Sequence, residues 1–168
     1  MKRIILGLLF LNCTFLYAQS DKGVSSKEIP TKVSSYLEEH FKTHSKIIYY
    51  KEVEDDSICF VANFKFKSQK YAVMFSQTGE LIETEIQISF EKFPENIEAA
   101  IEEKLKLDFS SYKIVQTQEV DNKGVLFYEL QVKGEKNKEL LFYEYYFDRT
   151  GVFVKSEIIS LKAIPSMF

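Results

Sequence analysis

The chain has 168 residues, 22 Lys and Arg against 25 Asp and Glu, a net charge of −3, and 45% hydrophobic and 15% aromatic residues with no Trp. The acidic balance excludes a general nucleic-acid binder. The length suffices for one compact domain, or for two small units sharing a core.

In chain order, Lys2 and Arg3 precede an apolar run from Ile4 to Leu11 broken only by Gly7. Leu16-Tyr17-Ala18 then leads into the polar Gln19-Ser20-Asp21-Lys22. This predicts a secretory signal peptide over residues 1–18, cut near Ala18 and too short for a stable membrane span. Lipidation at Cys13 is the competing expectation, but Phe10-Leu11-Asn12 lacks the small residue that precedes a lipidated cysteine. Removing residues 1–18 takes away two basic side chains and moves the net charge from −3 to −5. It also leaves Cys59 as the single thiol, so an exported chain has no internal disulfide and relies on packing. No later apolar run is long enough to cross a bilayer. The expected location is the periplasm or the extracellular space.

Residues 19–28 are polar and read as a flexible leader. Ile29-Pro30 opens a helix, because proline at a helix start loses no hydrogen bond. Val33, Leu37 and Phe41 give that helix one apolar stripe, with Tyr36 beside it. Four strands follow, over Ile47 to Val53, Ile58 to Lys67, Tyr71 to Phe75 and Ile82 to Ile88. In the second, Ile58, Phe60, Ala62, Phe64 and Phe66 alternate with Cys59, Val61, Asn63 and Lys65. In the fourth, Ile82, Thr84, Ile86 and Ile88 alternate with Glu83, Glu85 and Gln87.

The pattern then restarts. Phe93-Pro94 matches Ile29-Pro30, and Ile97, Ala100, Ile101 and Leu105 form a second stripe. Tyr112 to Val120, Val125 to Val132, Leu140 to Phe147 and Phe153 to Ile159 are the next strands. Asp121-Asn122-Lys123-Gly124 is a strong turn signal, and 134–138 reads as a longer hairpin loop than 67–69. Phe75-Ser76-Gln77-Thr78-Gly79 recurs as Phe147-Asp148-Arg149-Thr150-Gly151. In both, a glycine supplies the positive φ that closes the turn. A final echo of Ile88–Pro94 in Ile159–Pro165 reads as a short C-terminal cap.

The expected fold is α+β. Two tandem α-β-β-β-β repeats, residues 29–92 and 93–168, form one antiparallel sheet of about eight strands with both helices on one face. The residue pairs Ile29-Pro30 and Phe93-Pro94, the two Phe-x-x-Thr-Gly turns and the Glu85–Ser89 and Glu157–Ser160 links resemble the PepSY-like, or β-lactamase-inhibitor-like, family of exported bacterial envelope proteins. The likeness covers residues 29–165. It implies an exported fold without a catalytic centre whose open sheet face contacts another protein.

Candidate chemistry is sparse. His40 and His44 are four apart near the end of the first helix, but no third ligand stands at a matching spacing, so solvated histidines account for the pair. Cys59 has no base or helix N-terminus to activate it; it reads as a small residue on the sheet's outer face. Glu83, Glu85, Glu129, Glu144 and Glu157 share that face with Lys65, Lys133 and Lys155, which reads as a solvated charged surface. No catalytic, metal or cofactor site is expected, and the chain is not expected to be an enzyme. The open face also interleaves apolar side chains with charge, as protein-binding patches do. The expected binding face comprises Val61, Met74, Glu83, Glu85, Phe127, Phe142, Glu144 and Tyr146. Its expected partner is an envelope protein or peptide. Self-association as a structural or envelope-stress protein is the alternative, and the oligomeric state stays open.

Overall fold

The structure is a computed structural model that describes residues 23–54 and 57–159. The expected signal peptide with Cys13 and Ala18, the start of the leader and the cap from Ser160 onward lie outside the described residues.

Both helices are entered through a proline. Pro30 caps α1 (Thr31–His40) and Pro94 caps α2 (Glu95–Asp108), with extended backbone at each cap. The carbonyl of Pro30 accepts from the Val33 amide at 2.9 Å, and that of Pro94 from the Ile97 amide at 2.8 Å. The strands are β1 (Ile48–Glu54), β2 (Ser57–Phe66), β3 (Gln69–Ser76), β4 (Leu81–Gln87), β5 (Ser111–Asn122), β6 (Val125–Lys136), β7 (Glu139–Asp148) and β8 (Phe153–Ile159). They form one sheet in the order β1 to β8, every neighbouring pair antiparallel.

Cross-strand register places both helices on one face. Val33, Leu37 and Phe41 of the first helical segment pack on Ala62, Phe64, Val73 and Phe75. Ile97, Ile101 and Leu105 of α2 pack on Leu130, Val132, Tyr145 and Phe147. Val33, Leu37, Ile101 and Leu105 are fully buried, each worth about 1.5–3 kcal/mol of transfer free energy. Phe41 sets its ring edge-on to Phe64, Phe66 and Tyr71 with centroids 4.9–5.3 Å apart. At the far end of α2, the Tyr145 hydroxyl donates to Asp108 Oδ2 at 2.7 Å, which ties the last helical turn to the sheet.

The two Thr-Gly turns have the same geometry. Gly79 (φ +83°) and Gly151 (φ +86°) each donate to the carbonyl three residues back, Ser76 at 2.9 Å and Asp148 at 3.0 Å. They also seat the helices. A Cβ on Gly79 would lie 2.9 Å from Lys32 Cβ and 3.2 Å from Pro30 Cβ, and one on Gly151 would lie 3.3 Å from Ile97 Cα.

Three expectations about the fold need correction. Residues 24–28 are not a loose leader. The Val24 amide donates to the Tyr49 carbonyl at 2.8 Å, and Ser25 and Glu28 form a capping box around a 3-10 turn. Segment 134–138 is not a longer loop. β6 and β7 stay paired out to Lys136 and Glu139, and Asn137 and Lys138 alone turn the chain, as Lys67 and Ser68 do between β2 and β3. Gly134 lies inside the strand, where the Phe109 ring occupies the space a side chain would need, 2.5 Å from a Cβ. Finally, Ile82 leaves the helix-facing stripe. A bulge opposite Met74 and Phe75 turns Leu81 toward the helix, while Ile82 joins Cys59, Val61 and Met74 on the other side.

Candidate functional site

Registers carry the open face across the sheet in rows. One row runs Tyr50, Val61, Met74, Glu83 and Asn122. The next runs Asn63, Ala72, Glu85, Val120 and Phe127. A third runs Gln87, Gln118, Glu129, Tyr146 and Lys155, and a fourth Gln131, Glu144 and Glu157. Phe142 lies opposite Lys133 further along β7. All eight residues of the expected binding face therefore project away from the helices.

They are not a solvated surface. Glu83, Glu129 and Glu144 are each 2% exposed and Glu85 is 5% exposed, with Val61, Met74 and Tyr146 buried beside them. Only Phe127 and Phe142 are half-buried. Both helices lie on the other side of the sheet. Cys59 is covered too, in a cluster with Val61, Met74 and Ile82, which corrects its expected exposure.

Among the described residues, amide and phenol donors reach all four buried carboxylates. Gln118 Nε2 donates to Glu85 Oε2 at 2.8 Å and to Glu129 Oε1 at 3.1 Å, and thereby links β4, β5 and β6. Gln116 Nε2 donates to Gln118 Oε1 at 2.9 Å and orients that amide. Asn122 Nδ2 donates to Glu83 Oε2 at 3.2 Å, and the Tyr146 hydroxyl donates to Glu144 Oε2 at 3.1 Å. Lys155 pairs with Glu157 at 2.8 Å and stands over the Tyr146 ring, 4.4 Å from its centroid. Lys133 stands over Phe142 at 5.7 Å. Lys65, expected as a carboxylate partner, is registered opposite Lys70 instead.

Burial dominates the titration of this group. It raises Glu85 and Glu129 well above the usual carboxylate range, and the surrounding carboxylates raise them further. Glu144 is pushed up to about 7, chiefly by burial, with the Tyr146 hydrogen bond acting in the opposite direction. The Tyr146 phenol is raised by burial and by Glu129 and Glu144.

Sequence reasoning misses the glutamine and asparagine partners. Their signal is the alternation of Gln116, Gln118, Val120 and Asn122 along β5, which places three amides on one face.

His40 stacks on Tyr36 with centroids 4.0 Å apart, and its Nδ1 lies 2.9 Å from the Tyr36 carbonyl. Among the described residues, no three His, Cys, Asp or Glu side chains form a group arranged to hold a metal ion. No helix among them is long and apolar enough to cross a membrane.

Fold and face together define an α+β class: one antiparallel sheet, helices on one side, and a face without helices on the other. Solved structures share it. A DUF2874 family protein from Bacteroides uniformis ATCC 8492 is 16% identical with a TM-score of 0.63, over 78% of this chain and 90% of that one. A BLIP-like protein from Bacteroides fragilis NCTC 9343 is 13% identical with a TM-score of 0.60, over 78% and 87%. A Bacteroides eggerthii DSM 20697 protein, provisionally described as periplasmic, is 19% identical with a TM-score of 0.63, over 77% and 88%. At these identities the likeness is one of fold, and the fold is BLIP-like. No protein-family model matches the chain, and no curated protein matches it.

Proposed function

We propose that this chain is a non-catalytic exported binding module whose open sheet face contacts a protein or peptide of the cell envelope. The observation that carries the proposal is the buried carboxylate group. Glu83, Glu85, Glu129 and Glu144 are withdrawn from water on the side without helices and accept hydrogen bonds from amides and a phenol. Such an arrangement is costly to the fold, and perturbed groups of this kind concentrate at functional sites. Phe127 and Phe142, half-buried on the same face, are the apolar part of the contact. Export rests on residues 1–18 and agrees with the periplasmic description of the Bacteroides eggerthii protein. The PepSY-like assignment and the tandem-repeat origin of the two halves rest on the paired prolines and Thr-Gly turns.

The test is capture from envelope extract with wild type, Phe127→Glu and Phe142→Glu, each checked for folding by circular dichroism. A species retained by wild type and lost from both variants is expected; equal capture by all three sinks the assignment of the face. A second reading, self-association, has one observation in its favour. The edge strand β8 exposes Val154 and Ile158, at 38% and 61%. Light scattering across concentration separates the two, since a strict monomer eliminates self-association.

A further inference from the structure

Among the described residues, the open face has a gap over Ala72. In the second half the matching row is Gln131, Glu144 and Glu157, long side chains on three adjacent strands. In the first half that row is Asn63, Ala72 and Glu85. The Ala72 methyl leaves the middle of the row empty, and a cleft of about 370 Å³ opens there, within the size range of small-ligand sites. Asn63, Glu85 and Gln118 line it, with Lys46, Lys65 and Lys70, all exposed, also in its lining.

Register separates the polar groups of this cleft: Lys65 and Lys70 pair one same-face step beyond the row of Asn63, Ala72 and Glu85. Asn63 Oδ1 is buried and accepts no hydrogen bond, an unfavourable state that a ligand's donor would relieve. Glu85 adds carboxylate oxygens, one of them taken by Gln118. The exposed ammonium groups attract an anion. A ligand matching this pattern carries N–H donors at one end and a carboxylate at the other.

We propose that the cleft over Ala72 binds the C-terminal arginine or lysine of a peptide, its cationic side chain donating to Asn63 and Glu85 and its carboxylate meeting Lys46 and Lys70. This rests on the peptide-binding reading of the face and names the part of the partner that the face selects. Burial and the neighbouring carboxylates of Glu129 and Glu83 penalise the charged form of Glu85, and a cation beside it offsets that penalty.

The experiment titrates the full-length chain with Gly-Gly-Arg, its C-terminal amide, Gly-Gly-citrulline and free L-arginine, followed by backbone amide NMR shifts. Saturable shifts at Asn63, Ala72, Glu85 and Gln118 are expected with Gly-Gly-Arg. Affinity is expected to fall at least tenfold when the carboxylate is amidated or the guanidinium is replaced by the uncharged urea of citrulline. Equal response to the first three, or no response at these four residues at millimolar peptide, overturns the proposal. L-arginine distinguishes the source. Binding as tight as the tripeptide assigns the site to the arginine unit itself, and weaker binding assigns it to a peptide end. Ala72→Leu fills the gap at a position where the second half carries Glu144, and is expected to abolish the response with the fold intact. Ala72→Ser should keep it. A retained response in Ala72→Leu is a second refutation. The tripeptide response should survive Phe142→Glu, so failure of the cleft and failure of the broader contact surface give different results.

Discussion

Glu144 shows at the scale of one side chain what the open face costs. Its carboxyl is pushed up to about 7 from an ordinary 4.5. Between those values the folded chain holds a proton that the unfolded chain has released. Folding stability therefore falls as pH rises through that window, by on the order of 3 kcal/mol from this residue. Glu144→Gln keeps an acceptor for the Tyr146 hydroxyl and removes the titration. Its melting temperature should match wild type near pH 5 and exceed it at pH 8. A difference between the two proteins that stays constant with pH would refute burial as the cause. Glu85 and Glu129 shift in the same direction, so wild type and variant should both lose stability over this range, the variant less.

At the scale of elements, the Thr-Gly turns do two jobs. They reverse the chain with a glycine in the left-handed region, and they present a surface without a side chain to the first turn of each helix. A comparison of alanine variants separates these roles. Gly124 has φ +87°, but a Cβ added there would meet nothing within 4 Å. Gly124→Ala therefore costs only the backbone strain, about 1 kcal/mol. Gly79→Ala carries that strain and also meets Lys32 and Pro30, and should lose measurably more in urea denaturation. Equal losses would show that the turn does not seat α1.

The helices, the eight strands and the turn glycines are legible in the sequence because each has a local cause: the proline starts, the 3.6-residue stripes and the two-residue alternation. What lies beyond reach is set across strands. The bulge that redirects Ile82 shows only against Phe75 and Met74, and the 134–138 segment reads as a loop because Gly134 serves Phe109, a residue from another element. Alternation assigns the carboxylates to the correct face yet suggests a solvated surface, since their amide partners on β5 are visible only once register is known.

At the scale of the molecule, two apolar cores lie side by side, one beneath each helix. Between them run the five residue pairs of β4 and β5 and the Glu85–Gln118–Glu129 bridge. Gln118→Ala leaves two buried carboxyls without their shared amide, at a cost of about 1–3 kcal/mol. Hydrogen exchange should then show β4 and β5 losing protection ahead of β2, β3, β6 and β7. Uniform loss over all eight strands would show that the two cores open as one unit.

The strand order has a kinetic consequence. Each strand pairs only with its predecessor and successor in the chain, so contact order within each four-strand run is low. The one longer excursion is the α2 crossing between β4 and β5. A chain that emerges N-terminus first can add strands in the order they appear, each step closing a short loop with little entropy to lose. Every partial sheet on that route carries one unfinished edge that the next strand covers. Among the described strands the last such edge belongs to β8, where Val154 and Ile158 stay exposed.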